Sequence, residues 1–181
     1  MRHELVHKDI IEACKKGKSK AKYQLYQLYS KAMFNVCYRM MHNREEAEDM
    51  LQEAFTLAFA KLESFRFESS FGAWLKRIVI NTCINAINKR KADLIYCEEV
   101  RTEYFDEEAA EPEFTMEAVR RAMEELPNGG RLVFSLYLME GYDHSEIAQI
   151  LGITESTSKS QYMRARRKMV EILKQQQMYS V

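Results

Sequence analysis

Apolar side chains recur three and four positions apart through most of this chain, the spacing of α-helices rather than strands. Between Ser19 and Met41 the series Leu25, Leu28, Tyr29, Ala32, Met33, Val36, Cys37 and Met40 predicts a long helix, with a shorter one ahead of it over Lys8 to Lys15. Asn43 opens a capping box with Glu46, and Ala47, Met50, Leu51, Ala54, Phe55, Ala58, Phe59 and Leu62 then stripe a second helix of about five turns. Phe65 to Ser70 interrupts the pattern with aromatic, charged and hydroxyl residues. It resumes at Phe71, Trp74, Leu75, Ile78, Val79, Thr82, Ile84 and Ile87 and runs to about Lys91.

Beyond that helix the periodicity fades. Residues 93–113 are densely acidic and contain Pro112, the signature of a poorly ordered connector between a domain at 1–92 and another at 114–181. Met116, Val119, Met123 and Leu126 predict a short helix ended by Pro127 and a turn at Asn128-Gly129-Gly130, and Arg131 to Glu140 predicts another. From Asp143 comes a short helix carrying Ile147, Ala148 and Leu151, a break at Gly152, and Thr154 placed to cap a last long helix. That order is a helix-turn-helix layout. The expected fold is all-α: two helical domains joined by a flexible acidic linker, the C-terminal one a helix-turn-helix.

Composition narrows the class without changing the fold. Only 6 Gly and 2 Pro punctuate 181 residues, against 11 Met, 10 Tyr and 9 Phe, which disfavours a turn-rich β-sandwich. No stretch approaches the roughly 18 apolar residues of a membrane span, and the segment Met1 to Lys20 is charged, unlike a signal peptide. The expectation is a soluble, cytoplasmic protein with no membrane insertion.

Charge changes the picture more. The 27 basic and 27 acidic residues cancel overall but are segregated. Asp93 to Glu117 carries ten acids and one base, so the rest of the chain is nine charges positive, concentrated in Met1 to Lys31, Lys76 to Lys91 and Lys159 to Lys168. Basic blocks on both sides of an acidic connector fit a polyanion touched in two places, although solvated helix faces would look the same.

Two constellations carry candidate chemistry. On the last helix Ser158, Tyr162, Ala165, Met169 and Ile172 fall on a core-facing stripe, and Thr157, Ser160, Gln161, Arg164, Arg167 and Lys168 face the other way. Hydroxyl, amide and guanidinium groups donate to base edges and phosphates. A basic cluster that begins near a helix start opposes the helix dipole, so nucleic-acid contact accounts for it better than helix capping does. In the second constellation, Phe65, Arg66, Phe67, Glu68, Ser69 and Ser70 meet a basic helix containing Trp74, Asn81 and Asn85. Aromatics beside guanidinium and amide groups suit unstacked bases. Aromatics at helical spacing also suit a core, and Phe71 and Trp74 are expected to be at least partly that.

No metal or cofactor is implied. Cys14, Cys37, Cys83 and Cys97 lack C-x-x-C spacing and read as reduced thiols, mostly in the core, while His3 and His7, four apart, read as surface residues.

Three segments in order resemble bacterial sigma factors of the extracytoplasmic-function group, within the sigma-70 superfamily. Asp49-Met50-Leu51-Gln52-Glu53-Ala54-Phe55 is similar to that family's polymerase-binding helix. Phe65 through Asn85, with Ala73-Trp74-Leu75-Lys76-Arg77-Ile78, resembles its downstream-promoter segment. Leu126-Pro127 through Gly141-Tyr142, Glu146-Ile147-Ala148, Leu151-Gly152 and Arg164-Ala165-Arg166 resembles its upstream-promoter helix-turn-helix.

The resemblance implies a non-enzymatic subunit that binds core RNA polymerase and directs promoter recognition, DNA melting and initiation. Asp49, Gln52 and Glu53, with Leu51 and Phe55 partly packing the contact, would dock on the clamp helices of the largest subunit. A pocket formed by Phe65, Arg66, Phe67, Glu68 and Ser69 would take a base turned out of the duplex, with Trp74, Lys76, Arg77, Asn81 and Asn85 along the strand's path. Thr157, Lys159, Ser160, Gln161, Met163 and Arg164 would read the upstream element as duplex, with Arg166, Arg167 and Lys168 mainly on phosphates. An anti-sigma factor masking these surfaces is also implied. Ser158 departs from the family's usual aliphatic residue, which predicts weaker packing or a bond to a backbone carbonyl. Gln161 and Met163 replace residues that are often basic or aromatic. The residues alone leave two other readings open: a stand-alone helix-turn-helix regulator of duplex DNA, and, less well supported by four histidines and no paired ligand motif, a small helical metalloenzyme.

Overall fold

In the computed structural model the chain divides into two compact units, Met1–Lys89 and Arg90–Val181. The structure describes residues 6–89 of the first and 115–178 of the second, so the expected connector over 93–113, its two junctions, Cys97 and His3 lie outside the described residues.

The first unit comprises α1 (Lys8–Lys15), α2 (Ser19–Met41), α3 (Arg44–Ala60), a single 3₁₀ turn (Leu62–Ser64) and α4 (Phe71–Lys89). Its helices lie where the apolar spacing predicts them, although Leu28 and Ala32 of the α2 series stay exposed. Leu25, Val36 and Cys37 of α2, Ala54 and Ala58 of α3, and Leu75, Val79, Ile80 and Cys83 of α4 lose essentially all contact with water. A leucine buried to that degree contributes on the order of 2 kcal/mol. Small residues at positions 47, 54 and 58 let α3 lie close against α2 and α4. Asn43 accepts the Glu46 N–H at 3.0 Å and sets the start of α3, as the capping signal predicts. Cys37 and Cys83 are both fully buried in this core, and the neighbouring Cys37 thiol together with burial pushes the Cys83 pKa far up, so Cys83 behaves as a packing group.

The second unit comprises α5 (Met116–Glu124), α6 (Asn128–Phe134), which continues into a π-helical turn over Ser135–Met139, α7 (His144–Leu151) and α8 (Glu155–Met178). α8 is the spine, with α5, α6 and α7 packed along it. Met123, Leu126, Phe134, Ala165, Met169, Ile172 and Leu173 form the core.

Asn128-Gly129-Gly130 is not a turn, contrary to the sequence reading. Pro127 stands at the N-cap and the three residues make the first turn of α6, where both glycines are buried. A Cβ on Gly130 would sit 3.5 Å from the Ala165 Cβ, an ordinary van der Waals contact, so α6 lies against α8 here without requiring a glycine. Arg131 is buried as well, at 5% exposure, and its guanidinium donates to Asn128 Oδ1 at 2.7 Å, tying the start of α6 together.

Candidate nucleic-acid interface

α3 presents Asp49, Gln52 and Glu53 to solvent on one side, with Glu45 and Thr56 one turn beyond at either end. Leu51 and Phe55, expected to pack partly into a partner, are instead core residues at 5% and 3% exposure. The Phe55 ring packs edge-on against Tyr26, 4.8 Å between centroids. Positions 51 and 55, four apart, fall one turn from each other on the buried side, so the face that α3 leaves to solvent here is the acidic and amide row.

The segment between the 3₁₀ turn and α4 builds an open cleft of about 360 Å³, lined by Ser64, Phe65, Arg66, Glu68, Ser69 and Trp74. Its apolar wall comes from rings and its rim from a guanidinium, a carboxylate and hydroxyls, a combination that can stack a planar base and bond its edge. Phe65, expected to help form a pocket, lines this cleft from below. It is 3% exposed, with its ring 5.2 Å from Trp74 and 5.6 Å from Phe71, and it forms the floor of the cleft. Trp74 is half-buried, part core and part wall. Phe67 does not line the cleft. Its backbone is left-handed, φ 59°, and its ring lies 4.9 Å from Phe65 and faces α1. Ser70 caps α4, its Oγ accepting the Ala73 N–H at 3.2 Å. From Trp74 the exposed residues Arg77, Asn81 and Asn85 descend α4 at helical spacing, with Lys76 half-buried beside them.

In the second unit Asp143 and Glu146 form a reciprocal capping box at the start of α7. Gly152 ends α7 in the left-handed conformation, φ 65°, and Thr154 Oγ1 accepts the Thr157 N–H at 3.0 Å to start α8. This turn fixes where α8 begins and therefore which residues face outward. Opposite the buried stripe of Ser158, Ala165, Met169 and Ile172 lie Ser156, Ser160, Met163 and Arg167, four, three and four apart. Thr157, Arg164 and Lys168 flank that row on one side and Lys159 and Arg166 on the other. Lys159 pairs with Glu155 at 2.7 Å and Lys168 with Glu171 at 3.6 Å, both on the surface. Ser156 was missed by the sequence reading, although the same spacing picks it out.

Two expectations for α8 change. Gln161 is 7% exposed and turned toward α6, so it belongs to the packing rather than to the outward face. Ser158 bonds not to a backbone carbonyl but to His144 Nδ1, at 2.9 Å. The His144 ring stacks on Tyr137 at 4.5 Å and meets Tyr162 edge-on, so a polar bridge enclosed by aromatics joins α7 to α8 where an aliphatic contact was expected. Burial first, then the nearby Lys159 ammonium, lowers the His144 pKa from its ordinary value. Among the described residues no three His, Cys, Asp or Glu side chains come together as a metal site. His7 hydrogen-bonds the Tyr29 hydroxyl at 3.1 Å.

Comparison with known proteins accounts for both units. Residues 25–92 match the family model for sigma-70 region 2, and residues 116–169 the model for sigma-70 region 4. The chain is 30% identical over 176 residues to the ECF RNA polymerase sigma factor SigW of Bacillus subtilis, covering 90% of this chain and 94% of that protein. It is also 30% identical over 179 residues to the ECF RNA polymerase sigma-E factor of Escherichia coli, covering 92% and 93%. Among solved structures, the sigma factor RpoE from Bartonella quintana, in complex with the anti-sigma factor NepR, is similar at a TM-score of 0.52 and 26% identity, over 84% of this chain and 96% of that one. With both family regions present in order and relatives aligned over nearly their whole length, the chain belongs to the extracytoplasmic-function group of sigma-70 family sigma factors.

Proposed function

We propose that the chain's three outward surfaces divide the work of a sigma factor. As a member of that family it joins core RNA polymerase, directs it to promoters and starts transcription. The acidic row of α3 docks on the clamp helices of the polymerase's largest subunit. The cleft at residues 64–69, with α4 below it, captures a base and the strand released by melting. The outer row of α8 reads the upstream element in the major groove. No catalytic step is assigned to this chain, since nucleotide addition belongs to the polymerase. The proposed location is the cytoplasm, with which the described helices are consistent, none being long and apolar enough to cross a membrane. A relative solved with an anti-sigma factor supports control by such a partner.

The observation that carries this reading is the coincidence of each family region with one compact unit that bears the expected surface. Exposed carboxylates steer and register a partner, and placing like charges against each other costs several kcal/mol. Asp49→Arg with Glu53→Arg is therefore expected to abolish co-purification with core polymerase while circular dichroism shows the fold intact. Undiminished co-purification would move the docking surface elsewhere on the chain.

A further inference from the structure

The back of the cleft is held by a residue far away in sequence. Lys15, in the last turn of α1, donates from Nζ to the Phe65 carbonyl at 2.8 Å and stands 5.0 Å above the centroid of the Phe67 ring. Lys8, two turns earlier, places its own Nζ 5.8 Å from the same ring. Phe67 is the residue with the left-handed backbone, which a non-glycine side chain keeps only where its surroundings over-determine it. The bond to Phe65 orients the peptide that leads into Arg66, and the two ammonium groups draw the Phe67 ring toward α1. Arg66, Glu68 and Ser69 are thereby left on the cleft side, and the Phe67 ring is kept out of the space beside Trp74.

We propose that Lys15 is a positioning residue for strand capture: it fixes the course of residues 65–67 so that the cleft stays open for an unstacked base. The functional half of this inference rests on the role given to the cleft above, and the geometric half does not. A purely local role is also available to Lys15, since a cation in the last turn of a helix offsets the helix dipole. The experiment has to separate the two.

Trp74 is the single tryptophan of the chain and lines the cleft, so its quenching by acrylamide reports the cleft without any DNA. The full chain is compared as wild type, Lys15→Met and Lys15→Arg, alone and assembled with core polymerase. Lys15→Met is expected to increase quenching of Trp74. It is also expected to weaken retention of short random-sequence single-stranded DNA by the assembled complex about fivefold, the effect of one lost hydrogen bond. Lys15→Arg, which can donate to the carbonyl and stack on the ring, is expected to restore both. Unchanged quenching in Lys15→Met overturns the positioning role. If Lys15→Arg fails as Lys15→Met does and both lower the melting temperature, Lys15 serves α1 alone and the inference is again overturned. A wild-type complex that does not retain the single strand counts against the cleft as a capture site, while the quenching comparison still decides the role of Lys15.

Discussion

In α8 the outward side chains stand on a regular helix, started by Thr154 and backed by Ser158, Ala165, Met169 and Ile172, whereas residues 65–69 stand on irregular backbone that passes through a left-handed residue at Phe67. On the helix, sequence number alone sets where a side chain points, and each residue reaches outward independently of the next. In the loop, direction is set by groups from elsewhere: Trp74 and Phe71 below, Lys15 and Lys8 behind. A rigid row suits a duplex groove of fixed geometry. A cleft held by several distant contacts suits a single base that must be enclosed, at the cost of depending on every support. Substitutions on α8 should act one at a time, and those around the cleft should act through one another.

Trp74→Ala attacks the loop side at its wall. It is expected to weaken capture of the melted strand by about 1–3 kcal/mol, the contribution of one base–aromatic stack. Permanganate reactivity of promoter thymines should drop, and a footprint of the upstream duplex element should remain. Equal loss of both would mean that the cleft does not handle the strand separately.

Gln161 sharpens the helix side, because burial assigns it to packing and not to reading. Gln161→Ala is expected to lower the stability of the second unit in urea by about 1–2 kcal/mol. Selection from random duplexes should return the same upstream sequence as for wild type, and a shifted preference would restore Gln161 to the contact face.

The smallest effect expected comes from His144 beneath that helix. Its pKa lies below the ordinary 6.5 because burial and Lys159 disfavour the imidazolium, so the unfolded chain takes up the proton first. Stability of the second unit is then complete above pH 6.5 and declines as the pH falls below it. Amide hydrogen exchange of α7 and α8, followed as the pH is stepped down, should show this decline, and His144→Gln should flatten it.

Much of this arrangement is legible along the chain. The Asn43 and Thr154 caps and the break at Gly152 follow from local signals, because capping and left-handed termination involve residues only a few positions apart, and the bounds of α1 and α2 follow the apolar spacing. The outward row of α8 follows from periodicity. The readings that changed share a different cause. Asn128-Gly129-Gly130 looks like a turn by composition, yet Pro127 starts α6 there and packing against α8 keeps the segment helical and buried. Leu51 and Phe55 match a functional motif by position but are drawn inward by the aromatic and aliphatic surface around them. Ser158 found a histidine fourteen residues back, and local spacing carries no trace of that bond.

The residue order by itself set the helical class, the segregation of charge and the faces of the long helices, since these depend on short-range periodicity and on side-chain type. Packing settled which of the motif residues meet solvent, how α6 begins, and that an amine on the first helix supports the loop before α4. Those outcomes depend on groups as much as fifty residues apart competing for the same enclosed space, and helical spacing contains no information about that competition.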